Sequence, residues 1–319
     1  METIIMNGLS IINESNRMDG NLVSREIRSQ IKNIIEGSTP IIGRPPMLAI
    51  VHVAYDPASE VYLRHKLKDC QEVGIRTIET RIPFSELMDT EDLKRSIYVS
   101  LKSSDLSDTV DGIIVQLPIP KLSKSDIYEL MDGISPVKDV DGLGYLNVSR
   151  LSRGSGSHHA PCTPKGIMRL LEHYNIDLKG KNVTIVGRSD LVGKPLSCLM
   201  ESAGATVTLC HSHTKDLSHH INMNTDIVVF AVGKPKFYYP EMIHDRTIII
   251  DVGINRMEDG SLSGDVYQYH KYQTTKEFKY VTPVPGGVGP MTRAMLLQNV
   301  VDAWKANHES RVVGHSWRW

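Results

Sequence analysis

The first candidate for chemistry is a helix that carries a lysine and a tyrosine on one face. The residues after Asp56 predict a helix, with Asp56 as its cap and Gly74 as its stop. Ser59, Tyr62 and Lys66 share one face of that helix, because side chains three or four positions apart are neighbours. A lysine at such a place can relay protons or act as an electrophile. A solvated helix lysine is the alternative that spacing alone leaves open.

Two more polar side chains follow apolar segments. Gln116 ends the nearly all-apolar run 111–116, and its amide can both donate and accept hydrogen bonds. On the predicted sheet edge it either shares a pocket with Lys66 or ties the loop backbone. Asp141 stands in the irregular segment 138–142, which lacks the other ligands of a calcium loop. We interpret Asp141 as an acceptor for an amino-heterocycle, and a simple turn is the alternative.

A second set of signals lies in the segment 181–195, which has the pattern of a strand, a turn and a helix. Its apolar run stops at Gly187, and a helix start follows from Gly193 to Pro195. Glycines let the backbone approach an anion closely, and the unpaired N–H groups of a first helical turn favour negative charge. The turn therefore predicts a nucleotide diphosphate site, although its Gly-x5-Gly spacing differs from the common dinucleotide fingerprint.

The next predicted strand, 205–210, indicates which dinucleotide would bind. It ends in His211, Ser212 and His213, at the place where NAD-specific folds put an acidic residue against the ribose 2′-hydroxyl. With Arg188 in the preceding turn, these residues suit a 2′-phosphate, so we predict NADP as the cofactor rather than NAD. An ordinary surface loop of a parallel α/β domain is the alternative.

The composition favours a soluble cytoplasmic protein that binds small molecules. The 36 basic and 37 acidic residues nearly cancel, which gives no electrostatic argument for nucleic acid or an anionic membrane as a partner. The four cysteines have neither CxxC spacing nor the density of a secreted scaffold. No basic, apolar leader and no run of about 20 apolar residues stands out. No metal is expected, because neither cysteines nor carboxylates support the only histidine cluster, His211, His213, His219 and His220.

The elements that must position these residues alternate along the chain. Apolar runs at 47–53, 75–80 and 111–116 are separated by helical patterns, which predicts parallel β/α units. After a Gly-, Ser- and His-rich loop at 152–159, a second series begins, with strands predicted at 183–187, 205–210, 226–232 and 247–251. The fold class is therefore α/β with parallel sheets.

Two domains are the first expectation, because 319 residues exceed the usual size of one domain. We predict a catalytic domain from residues 1–160 with 291–319, in which 1–17 form a loose extension. Residues 161–290 are predicted to form a Rossmann-like NADP-binding domain. The Gly- and Pro-rich segment 283–292 predicts a loop that lines a cleft, and a closing helix to about residue 307 returns to the first domain.

Seven motifs in order make the chain similar to the bifunctional methylenetetrahydrofolate dehydrogenase/methenyltetrahydrofolate cyclohydrolase family. The similarity covers about residues 18–307. Six of the motifs are Asp56-Pro-Ala-Ser-Glu-Val-Tyr62-x-x-x-Lys66, Asp111-Gly-Ile-Ile-Val-Gln116-Leu-Pro, Lys138-Asp-Val-Asp141-Gly, Pro161-Cys-Thr-Pro-x-Gly166, Val186-Gly-Arg-Ser-x-x-Val-Gly-x-Pro195 and Asp251-Val-Gly-Ile-Asn255, and the seventh is the 283–292 loop.

The resemblance implies roles for individual residues. Lys66 would be catalytic, Gln116 would hydrogen-bond Lys66 and the substrate, and Tyr62 would stack on the aminobenzoyl ring of a tetrahydrofolate derivative. Asp141 would bind the pterin, and further substrate contacts would come from Ser59, Val115, Leu117, Pro285, Gly286, Gly287, Val288 and Gly289. NADP would be contacted by Thr163, Gly187, Arg188, Ser189, Ser212, Ile254 and Thr292.

The resemblance also implies the reactions and the assembly. NADP-dependent oxidation of 5,10-methylenetetrahydrofolate would give the methenyl compound, and hydrolysis would give 10-formyltetrahydrofolate, in a homodimer. The chain departs from the family at 143–147, at Tyr267 and at Arg293, which follows Thr292 where a small apolar residue is usual. Two rival readings are a dehydrogenase without cyclohydrolase activity and a catalytically silent folate- or nucleotide-binding protein.

Overall fold

The computed structural model describes residues 10–54, 57–156, 158–268 and 277–308, without the side chains of 57–59 and 62. Within it the chain divides into two compact units. Unit 1 combines Met1–Ser24 with Thr163–Thr292, and unit 2 combines Arg25–Cys162 with Arg293–Trp319. Each unit therefore draws on two separate stretches of the sequence.

Unit 2 is built on a three-stranded parallel sheet. Its strands lie in the order β2-β1-β3, so that the strand nearest the N-terminus is central. All but the two end residues of β1 are buried, as expected of an apolar strand that is covered on both faces. The elements from the N-terminal side are α1 (Gly20–Ile42), β1 (Met47–Ala54), α2 (Pro57–Val73), β2 (Arg76–Pro83), α3 (Thr90–Asp105), β3 (Gly112–Val115), α4 (Lys124–Asp132) and α5 (Tyr145–Ser152).

Local signals in the sequence start several of these helices. Asp89 caps α3 by accepting a hydrogen bond from the backbone N–H of Glu91, and Ser123 and Asp126 form a reciprocal capping box at α4. The sequence did not predict α5, whose N-cap is Gly144 without a side-chain hydrogen bond. Its eight residues give too short a pattern for a helical period to stand out.

Unit 1 contains a five-stranded parallel sheet of order β10-β7-β6-β4-β5 and a separate antiparallel pair, β8 with β9. Strands β4, β6 and β7 are buried along nearly their whole length, and the edge strand β5 is half exposed. Its elements are α6 (Cys162–His173), β4 (Asn182–Val186), α7 (Gly193–Ser202), β5 (Thr206–Cys210), α8 (Leu217–His220), β6 (Ile227–Phe230), β7 (Ile248–Asp251), β8 (Asn255–Arg256), β9 (Leu262–Ser263) and β10 (Tyr280–Val281).

A long helix, α9 (Val288–His308), closes the described chain. From Arg293 onwards its residues belong to unit 2, so the prediction that the closing helix returns to the first domain is confirmed. Together the two parallel sheets and this helix give the predicted α/β architecture. No helix of the described residues is long and apolar enough to cross a membrane.

The expected loose extension at residues 1–17 is wrong for residues 10–17. Ile11 is buried and donates its backbone N–H to the carbonyl of Gln268 at 3.0 Å. Arg17 forms a parallel bridge with Val281, beside the edge of β10. Apolar side chains without a regular period can still fill a gap in a core, which is why pattern analysis missed this segment. Residues 1–9 lie outside the described part of the chain.

Candidate active site

Lys66 and Gln116 meet in unit 2. The Lys66 Nζ donates to the Gln116 Oε1 at 3.0 Å, and the Gln116 Nε2 donates to the carbonyl oxygen of Leu117 at 2.8 Å. One end of the Gln116 amide therefore ties the loop, as one of the two alternatives has it, and the other end faces the lysine. Gln116 is buried and Lys66 is half-buried.

The sheet of unit 2 fixes this pair. The backbone N–H of Gln116 donates to the carbonyl of Val51 at 2.9 Å, which continues the pairing between β1 and β3 past the buried Val115. Lys66 lies in α2, which follows the carboxyl end of β1. Ligands of open α/β sheets bind at this edge. Ser59 and Tyr62 lie in the same helix, but their side chains are outside the described part, as is Asp56.

The loop that carries Asp141 is held by a second carboxylate, Asp139. The sequence did not predict this role for Asp139. The buried Asp139 accepts hydrogen bonds from the backbone N–H groups of Gly142, Leu143 and Gly144 and from the Nδ2 of Asn147, all at 2.8–3.3 Å. Burial raises the pKa of the Asp139 carboxyl, and the hydrogen bond from Asn147 opposes that rise. The sequence does show two carboxylates in this segment, but their spacing does not indicate which one holds the backbone and which one faces a ligand.

The backbone around Asp141 is also held from the other side. Asn299 of α9 donates through its Nδ2 to the carbonyls of Val140 and Ala160 at 2.8 and 3.1 Å. The Sγ of Cys162 lies 3.6 Å from the Asp141 Oδ1. The Asp141 carboxylate is therefore presented by a loop whose backbone is fixed at several points.

An ion pair stands one turn from Lys66 on α2. The Nε of Arg293 lies 3.3 Å from the Oδ2 of Asp69, whose side chain is 8% exposed. Burial raises the pKa of Asp69 although the Arg293 charge lowers it. The arginine that departs from the family pattern thus has a charged partner within unit 2.

The glycine turn of unit 1 is shaped by close contacts between backbone segments. Gly187 has a φ of +127°, and a Cβ there would lie 2.2 Å from the carbonyl oxygen of Ala231. A Cβ on Gly193, at the start of α7, would lie 1.8 Å from the carbonyl oxygen of Gly187. The turn is a cradle that side chains would fill, which fits the approach of a pyrophosphate to the first turn of α7. Pro195 lies within that turn.

Adjacent strand ends carry the residues predicted for the 2′-phosphate. Val186 pairs with Cys210 in the parallel register of β4 and β5, so the turn at Arg188 and the loop at His211 start side by side. The exposed Arg188 makes no hydrogen bond or ion pair with another residue of the described ranges. Ser212 is exposed, and His213 packs edge-on against His211 with ring centroids 5.9 Å apart.

The remaining predicted contact residues fall in unit 1. Thr163 and Thr292 are joined by a hydrogen bond of 3.0 Å between their hydroxyl groups. The side chain of Ile254 lies near Gly289, within 3.2 Å of where a Cβ would stand. Pro285, Gly286, Gly287 and Val288 form the loop that leads into α9. A Cβ on Gly20 would lie 1.7 Å from the Gly287 carbonyl, so this loop touches the first residues of α1, which belong to unit 1 as the loop does.

Two buried carboxylates of unit 1 were missed by the sequence analysis. Asp265 accepts hydrogen bonds from the backbone N–H groups of Val232, Gly233 and Lys234 at 2.6–3.0 Å and so holds the loop after β6. Asp251 in turn accepts from the N–H of Asp265 at 2.9 Å, and burial raises its pKa to about 7.

No group of three or more His, Cys, Asp and Glu side chains in the described ranges is arranged to hold a metal ion. His219 and His220 stack edge-on against each other on α8. His159, in the loop after α5, is buried, with its Nε2 2.7 Å from the carbonyl of Val137.

Two family models match most of this chain. One is described as "Tetrahydrofolate dehydrogenase/cyclohydrolase, catalytic domain" and matches residues 18–141. The other is described as "Tetrahydrofolate dehydrogenase/cyclohydrolase, NAD(P)-binding domain" and matches residues 161–308. The two matches follow each other along the chain in the same order as the two series of strands.

Individual relatives extend over nearly the full length. The bifunctional protein FolD of Sulfurihydrogenibium sp. is 43% identical over 292 residues, which cover 90% of this chain and 97% of that protein. A FolD crystal structure from Campylobacter jejuni is 37% identical with a TM-score of 0.82, covering 91% and 98% of the two chains. A Trypanosoma brucei FolD, in complex with NADP cofactor and an inhibitor, is 30% identical with a TM-score of 0.80, covering 92% and 99%.

Proposed function

Because this chain belongs to the tetrahydrofolate dehydrogenase/cyclohydrolase family, we propose that Lys66 and Gln116 form the reacting centre of a bifunctional enzyme. The enzyme oxidises 5,10-methylenetetrahydrofolate to 5,10-methenyltetrahydrofolate and hydrolyses the latter to 10-formyltetrahydrofolate, in one-carbon metabolism. The observation that carries the assignment of residues is the 3.0 Å hydrogen bond between Lys66 and Gln116 at the carboxyl edge of a parallel sheet.

NADP supplies the acceptor for the hydride that leaves the C11 methylene of the substrate. The glycine cradle at Gly187 and Gly193 leaves room for a pyrophosphate, and Arg188 offers a guanidinium with no partner among the described residues. Residues 187–189, with Ser212, are therefore assigned to hold NADP. The loop at 285–289 is assigned to the folate.

Lys66 acts in the hydrolytic step. Water adds to the methenyl carbon, and the ring then opens with proton transfers that a positioned lysine can assist. The Gln116 Nε2 is committed to the Leu117 carbonyl, so its Oε1 faces the ammonium and leaves the other two Nζ protons free for substrate and water. Gln116 thus orients the lysine, and the second N–H of its amide is left for the substrate.

The remaining side chains bind and orient the substrate. Asp141 accepts hydrogen bonds from the amino-heterocycle of the pterin, on the loop that Asp139 and Asn299 fix. Tyr62 stacks on the aminobenzoyl ring, as the family resemblance implies. Holding the substrate methylene in line with its hydride acceptor accounts for much of the dehydrogenase rate, because orientation removes an entropic cost.

A spectrophotometric assay tests the reactions directly. Purified protein is mixed with 5,10-methylenetetrahydrofolate and NADP, and then with NAD, while the reduced cofactor and the methenyl product are followed separately. Reduced cofactor that accumulates with little methenyl product establishes both activities. Equal accumulation of the two leaves a dehydrogenase alone. If folded protein shows no reaction with either cofactor, the enzyme hypothesis is wrong and a binding protein becomes the favoured alternative.

The assembly and the location are part of the same proposal. A homodimer formed through the nucleotide-binding units is what the family resemblance implies, and the balanced composition suits the cytoplasm. Sedimentation velocity at micromolar concentration tests the dimer, because a single species at the mass of one chain, 35.7 kDa, contradicts it.

A further inference from the structure

The residues assigned to the 2′-phosphate combine a permanent cation with two histidines. Arg188 stays charged at every physiological pH, whereas a histidine changes charge between about pH 5 and 8. His211 and His213 stand on either side of Ser212, directly after β5 and beside the turn that carries Arg188. The strength of this anion site therefore depends on which histidine takes up a proton.

The surroundings of His211 disfavour its charged form. Its Nδ1 lies 3.1 Å from the backbone N–H of His213, which donates to it. A proton on Nδ1 would face that N–H and break the hydrogen bond, so the neutral ring carries its hydrogen on Nε2. Partial burial, the Arg188 charge and His213 all lower the pKa of His211. In its neutral form His211 can offer a phosphate one N–H donor but no charge of its own.

His213 has the opposite surroundings. Its side chain is exposed and packs edge-on against the His211 ring, and its hydrogen bond in the loop uses the backbone N–H rather than a ring nitrogen. The other charged groups on the flanking elements are Asp190 with Lys194, which pair at 2.6 Å, together with Lys215, Asp216, His219 and His220. Carboxylates and lysine ammonium groups ordinarily do not change charge between pH 6.5 and 8.5, so the acidic and lysine side chains of this set add a constant contribution.

We propose that His213 makes the choice between NADP and NAD depend on pH. Protonated His213 binds the 2′-phosphate together with Arg188, and neutral His213 leaves Arg188 as the only cation of the pair. The inference rests on the proposed placement of the cofactor at residues 187–189 and Ser212. NAD has a hydroxyl at the same position, so its binding does not change with this proton.

The direction follows from linkage. A bound dianion favours the charged imidazole, so NADP binding takes up a proton, and the gain is present at low pH and lost as pH rises. One charge-assisted hydrogen bond changes affinity about tenfold. We therefore expect the ratio of the NADP and NAD dissociation constants to shift by about tenfold between pH 6.5 and 8.5. A phosphate monoester loses its second proton near pH 6, so the change above pH 7 belongs to the protein.

Calorimetric titration of the intact protein with NADP and NAD tests this without turnover. At pH 7.5, in two buffers of different ionisation enthalpy, NADP binding should show proton uptake and NAD binding should not. In His213→Lys the charge is permanent, so NADP affinity should stay high at pH 8.5 and proton uptake should disappear. His219→Gln, an exposed histidine of the same unit, is the matched control and should behave as the parent.

The outcomes separate the inference from the proposed function. NADP binding whose preference over NAD is constant from pH 6.5 to 8.5 overturns the inference and leaves the cofactor assignment intact. Parent-like proton uptake in His213→Lys, with its loss in His219→Gln, moves the titrating group to α8 and also overturns it. Absence of binding by either nucleotide to folded protein contradicts the proposed function itself.

Discussion

The two strand edges described above are specified by different means. In unit 2 the edge is defined by side chains, since Lys66 and Gln116 meet through a hydrogen bond between their polar ends. In unit 1 the edge is defined by missing side chains, since Gly187 and Gly193 let backbone segments approach to distances that a Cβ would block. The first edge should lose chemistry without losing stability, and the second should lose stability when a single methyl group is added.

The strongest test of the side-chain edge is Lys66→Met. Removing the ammonium eliminates proton transfer, so cyclohydrolase activity should fall by about a hundred- to ten-thousandfold. The unfolding midpoint should stay near that of the parent, because Lys66 is only half-buried. Lys68→Met, which changes an exposed lysine of the same helix, is the control and should hydrolyse normally. Parent-level hydrolysis in Lys66→Met would remove this lysine from the mechanism.

The glycine edge should respond to Gly187→Ala. A positive φ and a Cβ 2.2 Å from the Ala231 carbonyl combine backbone strain with a clash, so we expect a loss of about 3–5 kcal/mol in the free energy of unfolding. Gly180→Ala separates the two causes, because φ is +73° there but no atom lies within 4 Å, and it should cost about 1–2 kcal/mol. Equal losses in urea denaturation would show that space at Gly187 is irrelevant.

Replacing one or the other partner of the ion pair beside Lys66 should have different effects on stability. Arg293→Ala leaves the Asp69 carboxylate buried without its partner, which should cost about 2–3 kcal/mol of unfolding free energy. Asp69→Asn removes the costly buried charge and leaves a 28% exposed arginine, so the change should be below about 1 kcal/mol. Because the folded pKa of Asp69 is raised, the advantage of aspartate over asparagine should shrink as pH rises. Equal costs at neutral pH would contradict this account.

The smallest expected effect has the opposite sign. Gly37 is exposed within the last third of α1, and a Cβ there would meet nothing within 4 Å. Gly37→Ala should therefore stabilise the protein by about 1 kcal/mol through helix propensity and a less flexible unfolded chain. Thermal denaturation of this variant shows whether the glycine sensitivity of unit 1 is local to its turn or general to the chain.

The parallel strands were accessible from sequence, and the short elements were not. Strands β1, β3, β4, β6 and β7 coincide with apolar runs, because strands covered on both faces need apolar residues at successive positions. The two-residue strand β10 and the helix α5 are too short to show a period. Their positions depend on tertiary contacts, such as the pairing of Val281 with Ile249.

That Lys66 and Gln116 meet was predictable, and the carboxylates that hold loops elsewhere in the two units were not. Lys66 and Gln116 end up together because the order of parallel strands brings their ends to one edge. Asp139 and Asp265 each accept several backbone N–H groups, and that role leaves no spacing pattern in the chain. Such carboxylates can be recognised only when the loops around them are known.

The bridge between Arg17 and Val281 has a consequence for dissecting the protein. Residues 16–18 exchange backbone hydrogen bonds with Val281 at 2.8 and 2.9 Å and so cover the free side of the edge strand β10. A nucleotide-binding fragment that begins at residue 161, where the family match begins, would expose that strand as a template for other chains. We expect such a fragment to aggregate, and supplying residues 10–24 as a separate peptide should restore its solubility.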